Sequence, residues 1–262
     1  MSWRPFDNGS IKDVRSAPGA SAITLDQLLY HHSWEALEAL LENARLGEQH
    51  LLIMLSRKDL SRDIVTKIAQ SPEWMSSYAI KLAVLKHPQT PRHLALPLMK
   101  FIYLFDLLEV AVAPGVPAEL KRLAEDAILS QEESLALGQR ISLARRASPR
   151  VAAGLLVDRE RRVIEAALDN PSLTEESVAA ALLTERAAPE LTQAVIKHPR
   201  WYRSHSVRLA LARSRHLSLA RILEIFSELS MSEIVELAAD RRAKSNIRAY
   251  AHRIIKARRE HF

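Results

Sequence analysis

Apolar residues along this chain recur three and four positions apart rather than two, the pattern of helices buried on one face. An apolar anchor with a small or apolar residue four positions later returns at Leu40, Ile80, Leu120, Val163, Val207 and Ile247, at spacings of 40, 40, 43, 44 and 40. Each anchor is expected in a longer helix, its start marked by Ser33, Pro72, Pro117, Asp158, Pro199 or Asp240, residues that open helices rather than continue them. Between anchors the pattern predicts two shorter helices, such as 91–102 then 104–113, or 174–183 then 189–197. Proline disfavours the α conformation of the residue before it, so His87, Asn170 and His198 should end helices. Residues 1–23 carry Pro5, Gly9, Pro18 and Gly19 without a sustained apolar period and read as an arm, with Trp3 and Phe6 to dock it.

A second order lies above this period. Sliding 64–128 onto 191–255, a shift of 127 residues, pairs Pro72 with Pro199, Trp74 with Trp201, Ala83 with Ala210, Glu109 with Glu236 and Ile128 with Ile255 without a gap. Such agreement marks an internal duplication, and three units of about 40 residues make up one copy. The expected fold is all-α: a right-handed α-solenoid of about six helical repeats, forming a single domain over 24–262.

Composition narrows the chemistry. With 48% apolar and 26% charged residues the chain is that of a folded soluble protein, and six glycines are too few for hairpin-rich or phosphate-cradling folds. The absence of cysteine excludes disulfides, thiolate nucleophiles and Cys-ligated metal. The first ten residues hold no apolar export region, and the most apolar stretch, 94–116, is broken by Pro97, Lys100, Asp106 and Glu109, so a cytoplasmic protein without a membrane span is expected. The net charge of +6 sits at one end: residues 241–262 hold eight cations against Glu260 alone, a net of +7, which leaves −1 for the other 240 residues.

The run Asp158-Arg-Glu-Arg-Arg-Val-Ile-Glu-Ala-Ala-Leu-Asp-Asn-Pro171, with Ile80-Lys-Leu-Ala83 and Val207-Arg-Leu-Ala210, resembles HEAT/armadillo-type and leucine-rich-repeat-variant units over roughly residues 33–259. The resemblance implies a curved array of helices that holds a protein, peptide or nucleic acid on an extended surface. Leucine-rich-repeat-variant proteins can carry a Cys-ligated iron–sulfur cluster, and this chain departs from that completely. Some bacterial HEAT-like proteins remove alkylated bases from DNA, but no local motif here carries a catalytic residue over.

No metal or cofactor is expected. His31 and His32 diverge on a helix, and no His-Glu-x-x-His, Gly-x-Gly-x-x-Gly, P-loop or Gly-x-Ser-x-Gly pattern occurs. His87 and His198 read as helix-terminal cations suited to the dipole. Trp34, Trp74 and Trp201 share one register, six residues before an anchor, where tryptophan grips an extended peptide or wedges against the preceding helix. Lys81, Lys121, Arg208 and Arg248 follow anchors directly, as a ladder bridging to acids of neighbouring units or as a basic track for phosphates.

Two surfaces are candidates for binding. On the last helix Arg241, Lys244, Arg248, His252, Lys256 and Arg259 form a basic arc beside an apolar side of Ala243, Ile247, Tyr250, Ala251 and Ile254. It reads as a solvated capping face or as an anion-binding site for nucleic acid, anionic lipid or an acidic protein. The second comes from comparing the copies: Leu94, Pro97, Phe101, Tyr103 and Phe105 stand opposite Arg221, Glu224, Glu228, Ser230 and Ser232. An apolar stripe in one copy that is polar in the other needs a cover, either the N-terminal arm or a partner or second subunit. The functional expectation is a non-enzymatic scaffold that binds a protein or peptide partner through Leu94, Phe101, Tyr103 and Phe105. The alternative is a nucleic-acid-binding helical-repeat protein, including a base-modifying enzyme.

Overall fold

Serine and threonine punctuate this chain, and they start many of its helices. The computed structural model describes residues 22–259, so Trp3, Phe6 and the arm lie outside the described residues. Side-chain oxygens of Ser33, Ser61, Ser77, Ser148, Thr174, Ser218 and Ser230 each accept the amide of the third helical residue, satisfying a donor that the helix cannot. The chain divides into two compact units between Ile128 and Leu129. Among the described residues no strand forms, and no helix is long and apolar enough to cross a membrane.

The first unit runs through α1 (Ala22–Leu28), α2 (Trp34–Leu40), α3 (Glu48–Ser56), α4 (Arg62–Gln70), α5 (Tyr78–Lys86), α6 (Arg92–Met99), α7 (Leu104–Val112) and α8 (Ala118–Gln131), the last crossing into the second unit. The second continues with α9 (Leu137–Arg146), α10 (Pro149–Leu155), α11 (Arg161–Leu168), α12 (Glu175–Leu183), α13 (Pro189–Lys197), α14 (Pro199–Tyr202), α15 (His205–Arg213), α16 (Leu219–Glu228), α17 (Met231–Ala239) and α18 (Ser245–Arg259). The 127-residue shift also relates helix boundaries. Shifted by 127, α4, α5 and α7 coincide end to end with α13, α15 and α17.

All six anchors are buried, none more than 2% exposed. Their helices are not generally the longer ones, however: α2, α5, α11 and α15 have seven to nine residues, and only α8 and α18 reach 14 and 15. The start signals explain the difference. Pro72 and Pro199 open only a short turn of helix, at Trp74–Ser76 and Pro199–Tyr202, and Ser77 and Ser204 then restart the chain as the anchor helix.

Helices pack on sequence neighbours and on the helix two or three further on, α3 with α5 and α5 with α7 in the first unit, α9 with α11, α12 with α15 and α15 with α17 in the second. The turns between helices are also tied to one another. In the first unit the Arg57 guanidinium donates to the carbonyls of Leu29 and His31 at 2.6 and 3.0 Å, and His87 Nε2 donates to the Arg57 carbonyl at 2.8 Å. In the second, buried Asn170 donates to Ala144 and Ala147 at 2.8 and 3.0 Å, and Trp201 Nε1 to Leu168 at 2.8 Å. These side chains satisfy carbonyls that helix ends leave open, and each spans some 23 to 33 residues of chain. His87 and His198 are the C-caps of α5 and α13, while Asn170 follows the Asp169 C-cap of α11.

Candidate functional site: an aromatic surface on the first unit

The connection from α6 to α7 is four residues long, and one of them fixes it. Ile102 is buried at 5% exposure, so its neighbours Phe101 and Tyr103 are turned outward, 63% and 72% exposed. The Phe101 amide closes the end of α6 on the Leu98 carbonyl at 2.9 Å. Tyr103 is the N-cap of α7 in extended conformation but has no side-chain cap of its own. Phe105 follows on the first turn of α7 at 38% exposure, and Leu94 is half-buried on α6.

Three side chains hold this surface in place. The Tyr78 hydroxyl accepts the Tyr103 amide at 3.1 Å and donates to the Asp106 carboxylate, tying α5 to the start of α7. Burial and then the Asp106 bond push the Tyr78 phenol above its usual pKa, so it stays a donor. Its ring lies 4.8 Å from that of Tyr103 at 35°, an offset aromatic pair. From the next turn of α5, Lys81 Nζ stands 5.4 Å from the centre of the Phe101 ring, within cation–π range. Lys100, beside Phe101, is exposed and has no ion-pair partner among the described residues. The result is a positively charged aromatic surface, preorganised by hydrogen bonds made below it.

The second unit keeps the exposure of these positions and changes their chemistry. Glu228, Ser230 and Ser232 are exposed where Phe101, Tyr103 and Phe105 are exposed, and Leu229 is buried where Ile102 is buried. Arg221 and Glu224, opposite Leu94 and Pro97, pair with each other. His205 replaces Tyr78 and meets Glu233, the counterpart of Asp106, at 3.0 Å, while Arg208 replaces Lys81 and binds the same carboxylate at 2.7 Å. Glu233 is 1% exposed. Burial works against its ionisation, yet hydrogen bonds from Ser230 and Arg208 outweigh it and hold the carboxyl down at about 2. Here the charges satisfy one another.

No family model, no curated protein and no solved structure matches this chain.

The other sequence-predicted positions are scattered. Among the described residues the basic ladder is seen where Arg208 meets Glu233, while Lys81 stands over Phe101 and Arg248 Nε is buried without a hydrogen-bond partner. The three register tryptophans differ: Trp201 is 1% exposed, Trp74 is half-buried and packs against the core of the first unit, and Trp34 is 53% exposed, so the packing role fits Trp201 and Trp74 but not Trp34. His87 is not a helix-terminal cation. It is buried, its Nδ1 accepts the Gln89 amide at 3.2 Å, and desolvation lowers its pKa, which makes it a neutral ring. Arg241, Lys244 and Lys256 are exposed around α18, and the Arg259 side chain lies outside the described residues. Among the described residues no three His, Cys, Asp or Glu side chains stand where they could hold a metal ion. Sequence reasoning missed Tyr78, although a signal for it existed: Tyr78 with Asp106 and His205 with Glu233 are polar pairs at the same places in both copies.

Proposed function

We propose that this protein is a helical-repeat scaffold, a solenoid of HEAT- or armadillo-like units without a catalytic centre of its own, that holds a protein segment on the aromatic surface of its first unit. The observation that carries this reading is the contrast between the copies. Equivalent exposed positions are Phe101, Tyr103 and Phe105 in one unit and Glu228, Ser230 and Ser232 in the other, so the fold does not require aromatic residues there. Large aromatic side chains left in water are costly, and they are enriched where partners bury them. Turn-to-turn hydrogen bonds and packing between near neighbours in sequence support the repeat architecture.

The charge on the surface supports a partner of complementary chemistry. Lys100 is exposed and unpaired among the described residues, and Lys81 lies over Phe101, so the segment presents apolar side chains next to carboxylates. A displayed library of random peptides, selected on the full chain, tests this. Enriched sequences should combine aromatic or aliphatic residues with Asp or Glu, and Phe101→Glu/Tyr103→Glu should fail to retain them. No enrichment, or enrichment that survives this double substitution, contradicts the proposal.

A further inference from the structure

Helix α18 is the counterpart of α8 in the duplication, and the two have diverged in charge. At the shift of 127, Arg241, Arg242, Lys244 and Arg253 replace Pro114, Gly115, Pro117 and Asp126. All four cations are exposed and among the described residues none has an ion-pair partner, while Arg248 is half-buried with its Nε lacking a hydrogen bond to any of them. Helix α18 itself contains no Asp or Glu. The acids on α17 and just after it are already engaged, Glu233 by Arg208 and His205, Glu236 by His205 and Arg213, and Asp240 by Arg213 at 2.7 Å. Asp240, the carboxylate next to Arg241, accepts the Arg242 amide at 2.8 Å and is already paired with Arg213, so among the described residues the four cations face solvent without an ion-pair partner.

We infer that this face binds double-stranded nucleic acid through its phosphates, a second site separate from the aromatic surface. Three features select that ligand among polyanions. The apolar side of α18 is consumed by packing: Ala243, Ile247 and Ala251 are buried, and Tyr250 meets Phe226 edge to face at 5.3 Å. An interfacial helix needs that side free for the acyl boundary, so lipid is disfavoured. No aromatic ring on the exposed side of α18 offers a platform for unstacked bases, which disfavours single strands. From Ser245 to Arg253 the helix rises roughly 12 Å, and a duplex carries roughly seven phosphate charges over such a length of axis. Sequence-independent contact is the expected mode, since contacts to phosphates position a duplex without reading its sequence.

The test is fluorescence anisotropy of the full chain with a fluorescein-labelled duplex of mixed sequence, at 50 and 200 mM salt. Five cation–phosphate contacts give a slope of about −4.5 in log K against log salt, a loss of roughly 500-fold between the two concentrations. Arg241→Glu/Lys244→Glu/Arg253→Glu should lower affinity at least about 100-fold at 50 mM salt, since each lost contact weakens phosphate binding, and its circular dichroism should match the parent. If the charge-reversed protein does not fold, the Gln versions of the same three positions should show the loss and a flatter slope. Absence of duplex binding at 50 mM salt, a slope near zero, unchanged affinity in a folded variant, or binding to phosphatidylserine vesicles but not to duplex overturns the inference.

Discussion

His87 Nε2 donates to the Arg57 carbonyl at 2.8 Å across 30 residues of chain, so the ring that ends α5 also ties down the turn after α3. Its Nδ1 must stay unprotonated to accept the Gln89 amide, and burial lowers the pKa below 6.5. A histidine favoured as neutral in the native state contributes stability that is present above its unfolded pKa and lost as pH falls through 6.5 and below. The urea midpoint should therefore drop between pH 7.5 and pH 5.5. In His87→Asn, which can make both bonds without titrating, that part of the drop should vanish.

Glu233 predicts an acid-labile contribution from the second unit. Its carboxyl is held at about 2 against an ordinary 4.5, so the stabilisation is full above 4.5 and lost as pH falls toward 2. The difference corresponds to about 3 kcal/mol for a group this buried. Chemical unfolding at pH 7 and pH 3 should show a smaller acid loss in Glu233→Gln than in the parent. Equal losses would mean that the network around Ser230 and Arg208 does not favour the ionised form.

The tryptophans should separate sharply. Trp201→Ala empties a fully buried site and leaves the Leu168 carbonyl without its donor, a loss of about 3 to 5 kcal/mol. Trp34→Ala, at an exposed position, should stay within about 1 kcal/mol. Urea titrations of the two variants check the contrast, and acrylamide should quench Trp34 more readily than Trp201.

Phe101→Glu should leave the protein folded. The side chain is 63% exposed, its main contact is the Lys81 ammonium, and Glu228 already occupies the matching place in the second unit. Loss of the cation–π contact costs about 0.5 to 1 kcal/mol and the new carboxylate offsets part of it by facing Lys81. A destabilisation of about 3 kcal/mol or more would show that the ring is covered in the native protein, because only a buried charge costs that much.

The helices were legible because they rest on periodicity and on proline and serine punctuation, which act locally. The split of the expected long helices was harder to see, since Ser77 and Ser204 restart a helix only a few residues after Pro72 and Pro199 have opened one. Of the candidate site, Phe101, Tyr103 and Phe105 could be found by comparing the copies, yet periodicity gave no hint that Ile102 buries itself and turns its neighbours out. The Tyr78 support spans 25 and 28 residues, and the roles of His87, Asn170 and Arg57 likewise depend on partners in other turns. Such contacts are set by tertiary packing, and no spacing rule within one helix encodes them.

The duplication supplies its own control for the central claim, that the first unit carries a binding surface which the second has replaced by paired charge. Hydrogen–deuterium exchange of the full chain, with and without a peptide enriched on it, reads both copies at once. Added protection should concentrate in residues 98–107 and be absent from the equivalent residues 225–234. Equal protection of the two segments, or protection confined to other parts of the chain, would contradict the account.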